Sequence, residues 1–166
     1  MPPLGANKPT VLLVDDDTVV LALCRTVLEQ EGFSVLPATG SSEALKICKI
    51  HPGSIDILVA DLVLPPPEFS LSSGANEFPH VHGHELAVRA LRMRENLRIV
   101  LMSGNIDKDL GSYGIRKGSV PFISKPFENQ AMIELVRRTL QEPPATQESL
   151  MKEPTAQAKG TDEWFG

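Results

Sequence analysis

Residues 11–17 read Val11-Leu12-Leu13-Val14-Asp15-Asp16-Asp17, an unbroken apolar run that ends in three carboxylates. An apolar run of this length predicts a buried strand, and the carboxylates follow where that strand returns to solvent. Carboxylates so close together raise each other's pKa unless a cation or a basic side chain lies among them. One acid has a structural explanation, because Asp17 or Thr18 makes a good helix N-cap. Capping accounts for one acid and not for three, so the stretch indicates a site for a divalent metal or a phosphate group.

Three further apolar runs also lead into polar side chains. These runs are residues 57–60 before Asp61, 99–102 before Ser103, and 120–124 before Lys125. Continuous apolar strands separated by helical patterns predict a parallel sheet that is covered on both faces. In such sheets ligands bind at the carboxyl ends of the strands, where the strand order reverses. The acidic cluster and the three polar side chains are therefore expected to converge at one edge of the sheet.

The chain as a whole alternates strands and helices in the pattern βαβαβαβαβα. The predicted strands are 11–15, 33–36, 55–60, 98–103 and 120–124. The predicted helices are 18–31, one that begins at Ser41 or Ser42, one from near His84, one near 108–114, and 127–140. The first helix is expected to turn Val20, Leu23, Val27 and Leu28 inward. The segment 108–114 contains two glycines, each costing about 1 kcal/mol against alanine in a helix, so a helix there should be short or loose.

At these residues the chain resembles the receiver domain of bacterial two-component response regulators, over roughly Thr10 to Gln141. The resemblance rests on the acidic cluster, Asp61, Ser103 and the signature Ser124-Lys125-Pro126-Phe127, each at the end of a predicted strand and in the family's order. It implies an α/β fold, the flavodoxin-like doubly wound (βα)5 arrangement. The five-stranded parallel sheet is then expected to have the order 2-1-3-4-5.

The resemblance also implies a role for each site residue. Those roles are Asp15 and Asp16 as the metal-binding pair, Asp61 as phosphoacceptor and metal ligand, the Val63 backbone carbonyl as a further ligand, Lys125 as the active-site lysine, Ser103 as the switch hydroxyl, and Phe122 as the aromatic that rotates with it. Phe122 lacks the hydroxyl of a tyrosine at this position. The expected cofactor is Mg²⁺ or Mn²⁺, because a ligand set made only of oxygen suits a hard cation.

Composition is consistent with one small globular domain. The 166 residues are 42% hydrophobic and 22% charged, and the net charge of −5 without a basic stripe argues against a nucleic-acid partner. The sequence contains neither an apolar stretch near the length of a membrane span nor the apolar core of a signal peptide, so we expect a cytoplasmic protein with no membrane partner. Cys24 and Cys48 fall within helical patterns and are interpreted as core residues, with a disulfide as the alternative.

The predicted domain boundaries are an N-terminal extension at 1–9, a receiver domain at 10–141 and a flexible tail at 142–166. The receiver domain carries an insertion at 66–82, where the family usually has a loop of only a few residues, and this insertion should flank the site. The tail is poor in apolar residues until Trp164 and Phe165, which either dock on a groove or form a free end.

The sequence is also compatible with three other interpretations. His80, His82 and His84 alternate, as zinc or nickel ligands on an extended segment would, but His84 also suits an ordinary helix start. Asp15 fits the nucleophile of haloacid-dehalogenase-like phosphatases, although those enzymes need an acidic pair on a strand after the lysine and would leave Asp61 without a role. A phosphorylation-independent adaptor on the same fold is the third alternative.

The sequence therefore predicts a receiver that takes a phosphoryl group on Asp61 from a histidine kinase or a histidine phosphotransfer protein. Since no DNA-binding or enzymatic output domain is recognised in it, we expect signalling through an unknown downstream protein, a phosphorelay intermediate, or a fragment of a hybrid protein. It is not expected to be an enzyme beyond catalysing its own phosphoryl transfer and dephosphorylation.

Overall fold

The computed structural model describes residues 8–66, 78–113, 115 and 118–150. Its strands are β1 (Thr10–Val14), β2 (Ser34–Ala38), β3 (Ile57–Asp61), β4 (Arg98–Ser103) and β5 (Phe122–Ser124). Its helices are α1 (Thr18–Gln30), α2 (Ser41–Ile50), α3 (Gly83–Met93), α4 (Ile106–Tyr113), α5 (Asn129–Leu140) and α6 (Gln147–Leu150). Helix α4 is short, as the two glycines of the segment 108–114 predict.

All five strands are parallel and form one sheet in the order β2-β1-β3-β4-β5. The predicted fold class and strand order are therefore confirmed. The register aligns the strand ends, because Val14 lies beside both Ala38 and Ala60 and Ser103 lies beside Ser124. Residues that follow these positions consequently meet at one edge of the sheet.

The apolar residues of each strand divide between the two faces of the sheet. Val11 and Leu13 pack on the face covered by α1 and α5, whereas Leu12 and Val14 pack on the face covered by α2 and α3. This division follows from the two-residue period of a strand, and it explains why β1 is apolar from Val11 to Val14. Each fully buried side chain of this size stabilises the fold by roughly 1.5–3 kcal/mol, so the central strands hold the site rigidly.

Helix α1 begins as predicted, and three of its four expected inward residues, Val20, Val27 and Leu28, pack in or against the core. Asp17 caps the helix, with its Oδ1 accepting from the Val19 and Val20 backbone N–H groups at 3.0 and 3.3 Å. The buried residues are Leu21, Cys24 and Leu28, while Leu23 is 60% exposed. The inward assignment of Leu23 was wrong because two neighbouring rows of this helix are apolar, and periodicity alone does not choose between them.

Residues 142–150, which composition assigns to the tail, pack against the domain. Leu150 at the end of α6 is fully buried, the Ala145 backbone N–H donates to the Leu97 carbonyl at 3.0 Å, and Arg92 Nε donates to Gln147 Oε1 at 3.2 Å. One buried apolar side chain is enough to anchor a short segment. The average composition of residues 142–166 is polar and therefore does not predict this anchor. The remainder of the tail, including Trp164 and Phe165, lies outside the described residues.

Other boundaries differ by one or two residues. Strand β2 extends to Ala38 rather than Leu36, and α5 begins at Asn129 rather than Phe127.

Cys24 and Cys48 are buried free thiols, which supports their interpretation as core residues. Within the described part of the chain, no helix is long and apolar enough to cross a bilayer.

Candidate functional site

Four predicted site residues meet at the carboxyl edge of the sheet. Asp15 follows β1, Asp61 ends β3, Ser103 ends β4 and Lys125 follows β5. The Lys125 backbone N–H donates to the Ser103 carbonyl at 2.8 Å, so β5 delivers its lysine directly beside the end of β4. The convergence expected from the strand ends is present in the structure.

Lys125 is the charged centre of the site. Its Nζ lies 2.7 Å from Asp61 Oδ2 and 2.8 Å from Asp15 Oδ2, so one ammonium group bridges two carboxylates. The side chain of Asp15 is only 1% exposed and that of Asp61 11%, whereas that of Lys125 keeps 22%. An ammonium group in this position offsets the repulsion between two carboxylates that are both largely removed from water.

The surroundings shift the pKa values of both partners upward. Burial raises the pKa of Asp61, and although the hydrogen bond from Lys125 opposes this effect, the balance stays above the ordinary value. Desolvation lowers the pKa of Lys125, but its ionic contacts with Asp15 and Asp61 together outweigh this effect and leave that pKa raised. Lys125 therefore stays protonated at neutral pH, and its charge favours the ionised form of Asp61.

Three carboxylates form an acidic cluster beside the lysine. Asp15, Asp16 and Asp61 each offer an oxygen, and these oxygens all lie within 4.8 Å of one another. Asp16 is exposed, whereas Asp15 is buried with its Oδ1 accepting from the Asp17 backbone N–H at 2.9 Å. Asp15 Oδ2 accepts no hydrogen bond of good geometry from the described residues, despite its ionic contact with Lys125. The donor set therefore fits a hard divalent cation.

Val63 takes part through its backbone. Its N–H donates to Asp61 Oδ1 at 3.2 Å, which orients the carboxylate, while its side chain is 37% exposed beside the site. The role of its carbonyl as a metal ligand remains a prediction. Phe122 begins β5 and is half-buried against the core on the α2 and α3 face, and its rotation likewise remains a prediction.

Ser103 is fully buried, and its hydroxyl is already engaged. Ser103 Oγ donates to Asp109 Oδ2 at 2.5 Å and accepts from the Asn105 backbone N–H at 3.0 Å. The sequence interpretation did not include Asp109. The sequence does place an acid in the first turn of the helix that follows Ser103. Aspartates are common at that position in any helix, because they interact favourably with the helix dipole, so the acid alone does not predict a contact with Ser103.

Close contact between α3 and β3 shapes the floor of the site. A Cβ atom on Gly83 would lie 2.2 Å from the Asp61 carbonyl oxygen, and the Gly83 N–H donates to the Leu62 carbonyl at 3.0 Å. Only glycine allows this approach, so the first residue of α3 fixes the backbone that carries Asp61.

The described ends of the predicted insertion flank the site. The Val81 N–H donates to Ser41 Oγ at 2.8 Å, and His82 Nδ1 accepts from the Leu64 N–H at 3.0 Å. The His82 ring also lies 5.3 Å from the Tyr113 ring, which connects this segment to α4. Residues 67–77 of the insertion lie outside the described residues.

The three histidines do not gather as metal ligands. The His80 and His82 rings are 5.2 Å apart, but the His84 Nε2 is in contact with the Leu150 carbonyl at α6. Among the residues that the structure describes, Asp15, Asp16 and Asp61 form the only group of three or more potential metal-ligating side chains.

Known proteins resemble this chain in sequence. Residues 11–68 match the family model of the response regulator receiver domain. The response regulator SaeR of Staphylococcus epidermidis is 26% identical over 129 residues, which are 78% of this chain and 48% of SaeR. The chain thus spans about half the length of the curated relatives it matches.

Solved structures extend the likeness to the fold. A CheY-like response regulator receiver domain from Methanospirillum hungatei matches with a TM-score of 0.61 and 23% identity, covering 86% of this chain and 98% of that one. The receiver domain of the hybrid histidine kinase CckA matches with a TM-score of 0.60 and 26% identity, covering 80% of this chain and 99% of its own. The resemblance to receiver domains is therefore confirmed in sequence and in fold.

Proposed function

We propose that this chain, which resembles response regulator receiver domains in sequence and fold, accepts a phosphoryl group on Asp61 from a phosphohistidine partner. The observation that carries the proposal is the contact of Asp61 with Lys125 at the end of a central strand, beside two further carboxylates. Phosphoryl transfer needs an in-line nucleophile and positive charge around the equatorial oxygens, and these residues supply both.

The transfer balances as a single displacement. One Asp61 carboxylate oxygen attacks phosphorus and forms a new P–O bond while the P–N bond of the donor histidine breaks. The electron pair of that bond returns to the imidazole nitrogen, and a ring protonated on its other nitrogen leaves as neutral histidine. Asp61 must be ionised to attack, which the Lys125 charge favours against the effect of burial.

The surrounding residues stabilise the charge that develops. A divalent cation such as Mg²⁺ or Mn²⁺, held by Asp15, Asp16 and Asp61, supplies positive charge to the phosphoryl oxygens when bound. Lys125 contacts Asp61 in the unmodified protein and supplies its ammonium group to a phosphoryl oxygen. The Ser103 hydroxyl donates to another of these oxygens in the phosphorylated state alone, which makes it the switch.

We propose that the output is a protein contact. The chain catalyses only its own phosphorylation and dephosphorylation, and a downstream protein recognises the surface that changes with the Ser103 hydrogen bond. A haloacid-dehalogenase-like phosphatase is disfavoured because the described residues after Lys125 form the helices α5 and α6 and contain no strand that could carry an acidic pair. Asp61 is also better explained as the nucleophile, since Lys125 contacts it directly.

Phosphotransfer profiling tests the proposal. Radiolabelled histidine kinases and histidine phosphotransfer proteins of the host are each mixed with the wild-type chain and with Asp61→Asn. Asp56→Asn is the matched control, because Asp56 lies immediately before β3, at the opposite end of the strand from Asp61. We expect at least one donor to label the wild type and Asp56→Asn but not Asp61→Asn. Failure of every donor to label the wild type, or label retained on Asp61→Asn, would contradict the proposal.

A further inference from the structure

The only proton of the Ser103 hydroxyl is committed to a residue of α4. Ser103 Oγ donates to Asp109 Oδ2 at 2.5 Å, the length of a charge-assisted hydroxyl–carboxylate hydrogen bond. The Asn105 N–H occupies an acceptor position of the same oxygen. A serine hydroxyl has one proton to donate, so it cannot donate to Asp109 and to a phosphoryl oxygen at the same time.

This hydrogen bond also connects the site to a small helix. Asp109 is half-buried in the first turn of α4, and Leu110 is the helix's buried residue. Because α4 has eight residues and includes Gly111, little of its stability comes from its own sequence. The charge-assisted bond from Ser103 therefore adds to the packing of Ile106 and Leu110 against the core in holding the first turn of α4 to the end of β4.

We propose that Asp109 is a positioning residue that competes with the phosphoryl group on Asp61 for the hydroxyl of Ser103. The proposal rests on the phosphoacceptor function and adds its regulation. In the unmodified protein Asp109 holds the hydroxyl, and formation of the Ser103 bond to the phosphoryl group releases Asp109 and, with it, the first turn of α4. Asp109 thus lowers the affinity of the site for a phosphoryl group and links occupancy of the site to α4.

Binding of Mg²⁺ with beryllium fluoride, a stable mimic of the phosphoryl group, tests the competition. Affinity is measured by titration for the wild type, Asp109→Ala, Ser103→Ala and the double variant. Asp109→Ala should bind the mimic about tenfold more tightly than the wild type, the lower range for a hydrogen bond to a charged group. Removal of a negative charge near an anion also raises affinity, and the Ser103→Ala background measures that effect alone.

The comparison between the two backgrounds decides the outcome. We expect Asp109→Ala to raise affinity several-fold more in the Ser103 background than in the Ser103→Ala background. Hydrogen exchange of the α4 amides should increase when the mimic binds the wild type, and increase less in Asp109→Ala, where the bond is already absent. An equal gain in both backgrounds would overturn the role of Asp109 and leave the phosphoacceptor function standing. Absence of Mg²⁺-dependent binding to the wild type would instead overturn the phosphoacceptor function and this inference with it.

Discussion

Substitution of Lys125 by methionine should reveal how strongly the site depends on one ammonium group. The change keeps most of the aliphatic side chain but removes the charge that lies 2.7 Å from Asp61 and 2.8 Å from Asp15. Both carboxylates remain largely buried after the substitution, and their repulsion is no longer offset. The variant should therefore be destabilised although its packing is nearly unchanged.

The size of the effect follows from burial. Removing one partner of a buried ion pair costs about 3–5 kcal/mol, and we expect about 3 kcal/mol because the Lys125 side chain keeps part of its contact with water. With a urea slope of about 2 kcal/mol per M, this loss lowers the unfolding midpoint by about 1.5 M. Lys46→Met on α2 removes an exposed lysine and should change the free energy of unfolding by less than about 0.5 kcal/mol.

The loss should depend on pH in a defined direction. The pKa of Asp61 is raised by folding, so its contribution to stability is fully present below the unfolded pKa and is lost as pH rises through the folded pKa. Without Lys125 the pKa of Asp61 rises further. The loss in free energy of unfolding of Lys125→Met should therefore be largest at neutral pH, where Asp61 would be ionised in the unfolded chain, and should shrink at about pH 4, near the ordinary pKa of aspartate. Mg²⁺ should also stabilise the variant more than the wild type.

Urea unfolding of wild type, Lys125→Met and Lys46→Met at the two pH values, with and without Mg²⁺, measures all of these effects. A loss in Lys125→Met no larger than that in Lys46→Met would refute the reasoning. A deficit that is the same at both pH values would show that it arises from packing rather than from charge.

Three further outcomes are expected. Asp15→Asn combined with Asp16→Asn should abolish Mg²⁺ binding measured by calorimetry, and undiminished affinity would contradict the metal assignment. Gly83→Ala should destabilise the protein by about 3 kcal/mol, because its Cβ would meet the Asp61 carbonyl, and an unchanged urea midpoint would refute that contact. The acyl phosphate should be long-lived because Val63 cannot hydrogen-bond an attacking water. Val63→Gln should shorten its lifetime on the order of tenfold, and a wild-type lifetime of seconds would contradict this explanation.

The strand ends were the part of the structure that sequence predicts best. Asp61, Ser103 and Lys125 each follow an apolar run, and a parallel sheet necessarily brings such positions to one edge. The family resemblance therefore predicts the strand order. The location of the site follows from the rule that the carboxyl ends of parallel strands meet at one edge of the sheet.

Contacts between side chains of different elements could not be predicted in the same way. The bond from Ser103 to Asp109 depends on where α4 begins, and the contact of Val81 with Ser41 joins segments 40 residues apart. Periodicity predicts Leu23 on the inner face because a neighbouring row of α1 is also apolar, and the polar composition of the tail gives no indication that Leu150 is buried. In each case the contact depends on how a helix is rotated about its axis or on where a segment packs against the domain. Composition and periodicity do not determine either of these.

Mapping of the phosphorylated residue tests the central claim most directly. The wild-type chain is incubated with acetyl phosphate and Mg²⁺, its modification is measured by intact-mass spectrometry, and the modified residue is identified after reductive trapping and proteolysis. We predict a single phosphoryl group on Asp61, no modification without Mg²⁺, and none on Asp61→Asn. Modification that persists on Asp61→Asn, or that is found on Asp15 instead, would contradict the account.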